Sequence, residues 1–236
     1  IIDVAKMTKG MVLVTGPAGS GKSTTLACII DEINRTRNAH VITLEDPIEY
    51  LHRHKKSVVT QREIATDTDS YLTGLRASLR QAPDVILLGE MRDHETISTA
   101  MTAAETGHLI LSILHTIGAA NTIDRVIDAF PPGQQQQIRA QLSMVLDAVI
   151  SQQLIPTVDG GVYPVFEIMF LNNAIRNMIR ESKIHQIDGV IATSQDEGMV
   201  SMDNSIIGLY RKGLVSKENA IAYSSNSELM AKKLDR

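Results

Sequence analysis

Two short stretches hold residues that could do chemistry together. Residues 16–24 read GPAGSGKST, the spacing G-x-x-x-x-G-K-[ST]. Gly16, Gly19 and Gly21 let the backbone curl until successive amides face a phosphate. Lys22 supplies a point charge for the β- and γ-phosphates, and Ser23 a hydroxyl that can ligate magnesium. Pro17, Ala18, Ser20 and Thr24 complete the loop, and the helix opening there adds the positive end of its dipole. The second stretch, ITLEDPIEY at 42–50, places Glu45, Asp46 and Glu49 within five positions. Carboxylates that close raise one another's cost of ionisation, so they require a cation nearby. A magnesium–triphosphate at the first stretch supplies it. Residue chemistry barely separates the three acids: Pro47 turns the chain and can aim Glu49 back at the loop, whereas Glu45 sits nearer the strand end.

Two further strand ends point to the same place. DVILLGEMRD, residues 84–93, resembles a Walker B strand in which Glu90, after an inserted Gly89, replaces the usual aspartate. A carboxylate there holds magnesium through water; alternatively, Glu90 is a helix-entry charge paired with Arg92. Asp93 reads as the N-cap of the next helix. His108 and His115 bracket the strand LILSIL. His108 either contributes to the site or simply follows a Gly107 cap. His115, past the carboxyl end and beside Thr116, is the better placed to sense a γ-phosphate.

These groups meet only if the elements between them build one sheet. Short apolar runs alternate with helix-period segments, the mark of an α/β fold with a mainly parallel sheet. Strands are expected at 11–15, 40–44, 85–89 and 109–114, and helices at about 22–37, 70–81, 94–106 and 119–129. In open α/β sheets ligands bind beyond the carboxyl ends of the strands, and all four strands end in the polar groups named above. Residues 134–155 repeat Ile138, Leu142, Val145, Leu146 and Val149 on one helical face, so a single helix is expected there. A hairpin turning at Asp159-Gly160-Gly161 follows, with Pro164 favouring an edge. Everything from Asn172 onward is helix-patterned, with breaks near Gly189, Gly198, Gly213 and Ser224. The expected division is an α/β core at 1–171 and a helical subdomain at 172–236.

Composition narrows the rest. The 236 residues are 43% hydrophobic and carry a formal charge of −4, so no positive field recruits nucleic acid or anionic lipid. Aromatics are 3% with no Trp, which leaves few platforms for stacked bases. Cys28 lies in an apolar stretch and reads as a buried small hydrophobe in a reducing compartment. No apolar run is long enough to span a membrane. The chain opens IIDVAKM, without an initiator Met or signal peptide, as expected of a piece of something longer.

Taken together, residues 10–226 resemble the C-terminal ATPase domain of the type II/IV secretion ATPase superfamily, and within it the PilT-like branch of type IV pilus retraction motors. The resemblance rests on GPAGSGKST, TLEDPIEY, GEMRD, ETGHLILSILHT and, most discriminating, AIRNMIRE at 174–181. Assembly ATPases of that superfamily usually carry a four-cysteine zinc module, which a chain with one cysteine cannot build. The resemblance implies a RecA-like P-loop NTPase core with a β-hairpin and a helical C-terminal tail. It implies ATP and Mg2+ as ligands, Glu49 as the base for the attacking water with Glu45 second, and Glu90 in the magnesium shell. His108 and His115 would sense the nucleotide. Arg76 and Arg80 resemble family arginines near the nucleotide, or form a solvated basic ridge. On AIRNMIRE, Asn172 or Asn173 caps a helix, and Arg176, Arg180, Asn177 and Glu181 form a polar ridge expected to contact the motor or the pilus machine.

The resemblance implies an N-terminal PAS-like domain, expected to lie outside these residues, that supplies part of the nucleotide site and some phosphate-neutralising arginines. With that domain the resemblance implies a homo-hexamer driving pilus retraction and twitching motility against a pilus-base platform protein of the inner membrane. Its place would be cytoplasmic, peripheral at the inner face of the bacterial membrane. The alternatives are a pilus-assembly or type II secretion ATPase, a DNA-translocating RecA-like motor, and a nucleotide-gated interaction module that does not hydrolyse ATP.

Overall fold

A computed structural model describes residues 1–235. Four apolar runs become strands β1 (Gly10–Thr15), β2 (His40–Glu45), β4 (Val85–Leu88) and β5 (Leu109–Leu114). Between them lie β3 (Val58–Glu63) and the helices α1 (Lys22–Thr36), α2 (Tyr71–Ser78) and α3 (His94–Glu105). Then come α4 (Ala119–Asp128), α5 (Pro132–Val145), β6 (Leu146–Pro156) and β7 (Val162–Phe170). The sheet has seven strands in the order β3-β2-β4-β5-β1-β6-β7. Every pairing is parallel except the β6–β7 hairpin at one edge.

The alternation of strand side chains explains the layers. Met11 and Leu13 of β1 join Leu44, Leu88 and Ile110 in a core beneath α2 to α5. Val12 and Val14 face the other way, joining Leu87, Leu111 and Ile150 against Leu26, Ile29, Ile30 and Ile33 of α1. Both faces are covered, so the inner parallel strands β1, β4 and β5 are nearly continuous apolar runs. Caps set the helix starts: the Asp93 carboxylate accepts the Thr96 N–H at 2.8 Å, and the Ser70 hydroxyl accepts the Thr73 N–H at 3.1 Å.

Three expectations are corrected and one strand is added. The helix expected over 134–155 stops at Val145, and β6 begins at the next residue. A short apolar run satisfies both periodicities, and here pairing with β1 and β7 wins. β3 escaped notice because only Val58 and Val59 are apolar; it is an edge strand paired with β2 alone, so one buried valine suffices. Cys28 is exposed, on the outer side of α1. Gly189 lies inside a helix and does not break it. The hairpin does turn at Gly160, whose φ is +84°, and Pro164 sits on the edge strand β7.

The tail holds α6 (Asn173–Arg180), α7 (Ile187–Thr193), α8 (Met202–Arg211), α9 (Lys217–Ala222) and α10 (Ser227–Leu234). Its first part, through Ile175, Ile179, Ile187, Ile191 and Met199, shares the main core. Its second part makes a separate cluster in which Met202, Ile206, Val215 and Met230 pack on Ile155 and Val165 of the hairpin. Among the described residues no helix is long and apolar enough to cross a membrane.

The AIRNMIRE helix is not a free polar ridge. Asn172 caps it, accepting the Ile175 N–H at 3.0 Å. Arg176 turns inward: one guanidinium nitrogen donates to the carbonyls of Ser143 (2.7 Å), Met144 (3.2 Å) and Leu146 (3.1 Å), the other to the Asp147 carboxylate at 2.8 Å. Carbonyls in a last helical turn have no partner within the helix. Arg176 supplies one where α5 ends and β6 begins.

Candidate nucleotide site

The loop between β1 and α1 makes the floor of the site. Gly16, Gly19 and Gly21 have φ of +141°, +74° and +86°, a region in which a side chain is strained. A Cβ on Gly16 would also fall 2.1 Å from the Gln152 carbonyl oxygen. Lys22 is buried and donates from Nζ to the carbonyls of Gly16 at 3.0 Å and Pro17 at 2.7 Å. Burial holds its pKa below the usual lysine value, against the pull of the Glu49 charge. Thr15 and Ser20, on either side of the loop's bend, bury hydroxyls without a protein partner. Four features therefore suit the phosphates of a nucleotide: strained glycines, a buried ammonium, uncommitted hydroxyls and a helix N-terminus.

The wall comes from the strand ends. A cleft of about 510 Å³ is lined by Lys22, Ser23, Glu45, Asp46, Glu49, Glu90 and His115, with Ala18, Gly19, Gly21 and Thr24 beneath them. The three crowded acids are parted. Glu49 accepts a hydrogen bond from the Ser23 hydroxyl at 2.9 Å. Glu45 is turned aside, accepting from Thr43 Oγ1 at 2.6 Å and Gln61 Nε2 at 3.2 Å. Asp46, joined to Pro47 by a cis peptide, is exposed on the lip. Glu90 does both things anticipated for it. It lines the cleft and also pairs with Arg92 at 2.8 Å, while His115 Nε2 lies 3.8 Å from the same carboxylate oxygen.

Not every expected residue arrives. His108 precedes β5, so it stands at the opposite edge of the sheet from the cleft, where its Nδ1 lies 2.9 Å from the Ala103 carbonyl. The start of a parallel strand is the wrong end for a ligand, and that rule was available from the sequence. Arg76 and Arg80 sit at and beyond the C-terminal end of α2, both exposed, whereas Tyr71 at its N-terminus lines the cleft. Within this chain they form the solvated ridge. Three cleft residues escaped the sequence reading. Tyr50 shares a hydrogen bond with Thr24 Oγ1 at 2.7 Å. Tyr71 is held well above the usual phenol range, by burial first and then by the Glu90 and Asp46 charges. His52 is half-buried, which pushes its pKa down. Tyr50 and His52 follow the acidic stretch directly, so proximity to Glu49 was the available signal.

A mainly parallel sheet with a glycine loop running from the interior strand β1 into α1 defines a P-loop α/β domain of RecA-like type. Comparison with known proteins goes further. Residues 1–189 match the family described as type II/IV secretion system protein, and the chain belongs to that family. It is 53% identical to a twitching motility protein of Neisseria gonorrhoeae over 97% of its length, covering 61% of that relative. It is 52% identical to the type IV pilus retraction ATPase PilT of Pseudomonas aeruginosa, covering 92% of this chain and 63% of that one. The crystal structure of a pilus retraction motor PilT with bound ADP superposes with a TM-score of 0.91 at 47% identity, over 97% of this chain and 65% of that one. The DotB ATPase of Legionella pneumophila gives a TM-score of 0.84 at 31% identity, over 93% and 61%. The chain thus spans about three-fifths of the length of the relatives it matches.

Proposed function

We propose that this chain is the ATP-hydrolysing motor domain of a type IV pilus retraction ATPase, which drives twitching motility as a hexameric ring. The observation that carries the reading is the Ser23–Glu49 hydrogen bond of 2.9 Å beside the buried Lys22. It sets a carboxylate at the mouth of a phosphate cradle, where the γ-phosphate and the attacking water would meet. The high identity to a named retraction ATPase supports the assignment to retraction.

In this reading Lys22 neutralises phosphate charge, Glu49 orients the water and accepts its proton, and His115 senses the γ-phosphate through Glu90. Magnesium supplies charge neutralisation when bound, held by Ser23 directly and by Glu90 through water. Among the described residues no three His, Cys, Asp or Glu side chains form a metal cage, so most of the ion's ligands would be phosphate oxygens and waters. Loss of the γ-phosphate would free one packing of domains around the ring and allow another. An N-terminal PAS-like domain would complete the ring and the arginine set. The partner would be a platform protein at the pilus base, and the place the inner face of the bacterial cytoplasmic membrane.

The test measures phosphate release and mass by light scattering, with and without the upstream residues. Slow turnover and weak assembly are expected of this chain alone, and Lys22→Ala is expected to abolish turnover once those residues are restored. Full turnover by that variant would defeat the reading. Deleting the gene separates the alternatives: abundant pili without twitching indicate retraction, whereas loss of pili indicates assembly.

A further inference from the structure

A residue far from the glycine loop in sequence holds that loop in shape. β1 and β6 run parallel with Thr15 opposite Ser151, so Gln152 stands one step past the end of β1, level with Gly16. Its side chain is 3% exposed. Nε2 donates to the Ser20 carbonyl at 2.6 Å, and Oε1 accepts from Thr25 Oγ1 at 2.6 Å. A carbonyl can only accept, so the amide has one satisfactory orientation. Gln152 thereby bridges the apex of the loop and the first turn of α1. A Cβ on Gly21 would lie 2.9 Å from its Nε2, which leaves glycine as the residue that fits.

The Ser20–Gly21 peptide is planar and trans, so its N–H points opposite to its C=O. Drawing the Ser20 carbonyl towards β6 turns the Gly21 N–H away from β6, and Gly21 lines the cleft. We propose that Gln152 is a positioning residue for phosphate binding: by holding the Ser20 carbonyl it presents the Gly21 amide to the β-phosphate of a nucleoside di- or triphosphate. This rests on the reading of residues 16–24 as the phosphate cradle.

The test compares ADP and AMP binding to this chain by competition with a fluorescent ADP analogue, alongside melting of the nucleotide-free protein. AMP lacks the β-phosphate and serves as the control. Gln152→Met fills a similar volume without hydrogen-bonding groups. Gln152→Glu keeps an acceptor for Thr25 but sets a carboxylate against the Ser20 carbonyl. Both are expected to bind ADP about tenfold more weakly with AMP affinity unchanged, the scale of one lost buried hydrogen bond. Gln152→Met binding ADP as tightly as the parent, or losing ADP and AMP affinity by the same factor, overturns the proposal. A parent chain with no preference for ADP over AMP overturns the reading of the loop, and the proposal with it. Should neither variant fold, the parent decides: the Gln152 side-chain amide protons should exchange slowly and shift when ADP is added. Fast exchange without a shift overturns the proposal.

Discussion

Replacing Arg176 by Ala tests whether the inward turn of the AIRNMIRE helix holds the fold together. The guanidinium serves three carbonyls and one carboxylate at the junction of α5 and β6. The losses are unequal. Met144 is 59% exposed, so its carbonyl can recover water at little cost. Ser143 and Leu146 are fully buried, and their carbonyls would lose partners that water cannot easily replace. The Asp147 side chain is 28% exposed, so its charge would be only partly resolvated. Two carbonyls and one carboxylate together give a destabilisation of roughly 2–4 kcal/mol. For a chain of this size that lowers the melting temperature by roughly 4–16 °C. Lys at 176 should recover part of the loss, since one ammonium cannot reach both the carbonyls and Asp147. Arg176→Ala and Asp147→Ala together should cost less than the sum of the two alone. Denaturant titrations of the parent, the three single variants and the double variant supply the numbers. A single Arg176→Ala variant within about 0.5 kcal/mol of the parent, the range of an ordinary surface change, would refute the argument.

Three further outcomes follow from the site. Glu49→Gln, with the upstream residues restored, should still bind ADP but release phosphate 10²- to 10⁴-fold more slowly, roughly the worth of a general base; Glu45→Gln should lose less, and the reverse ranking in a phosphate-release assay would reassign the base. Gly89→Ala would set a Cβ 2.8 Å from the Tyr71 hydroxyl and 3.2 Å from the Leu44 carbonyl. It should destabilise by about 1–3 kcal/mol, and adding Tyr71→Phe should return part of that in thermal melts. Glu167 is buried with its carboxylate on the N–H groups of Ala119 (2.8 Å) and Met202 (3.3 Å), and burial raises its pKa above 4.5. Between 4.5 and the raised value the native protein holds more proton than the unfolded chain, so stability falls as pH rises through that window. Glu167→Gln should flatten that slope in urea melts, leaving the part due to Asp124 and Asp188, whose pKa values burial also raises.

Local chemistry was legible in the residues themselves. The glycine loop, Lys22 and Ser23 lie within nine consecutive positions between a strand and a helix, so their arrangement follows from backbone rules acting over one turn. The same holds for the Asp93 cap, for a cap at Asn172 or Asn173, and for the turn at Gly160. The carboxyl-edge rule brought Glu49, Glu90 and His115 to one cleft, and applied strictly it also excludes His108.

Tertiary structure decided whatever depends on distant partners. Residues 146–155 suit a helix or a strand equally by periodicity. They are a strand because β1 and β7 complete their hydrogen bonds and Arg176, thirty residues on, satisfies the carbonyls left where α5 stops. β3 exists because β2 offers it an edge, not because its own sequence demands a strand. Gln152 reaches the loop from 132 residues away, and no spacing rule spans that separation. Short-range backbone geometry is written residue by residue, whereas a hydrogen bond between remote segments exists only once the sheet has brought them together.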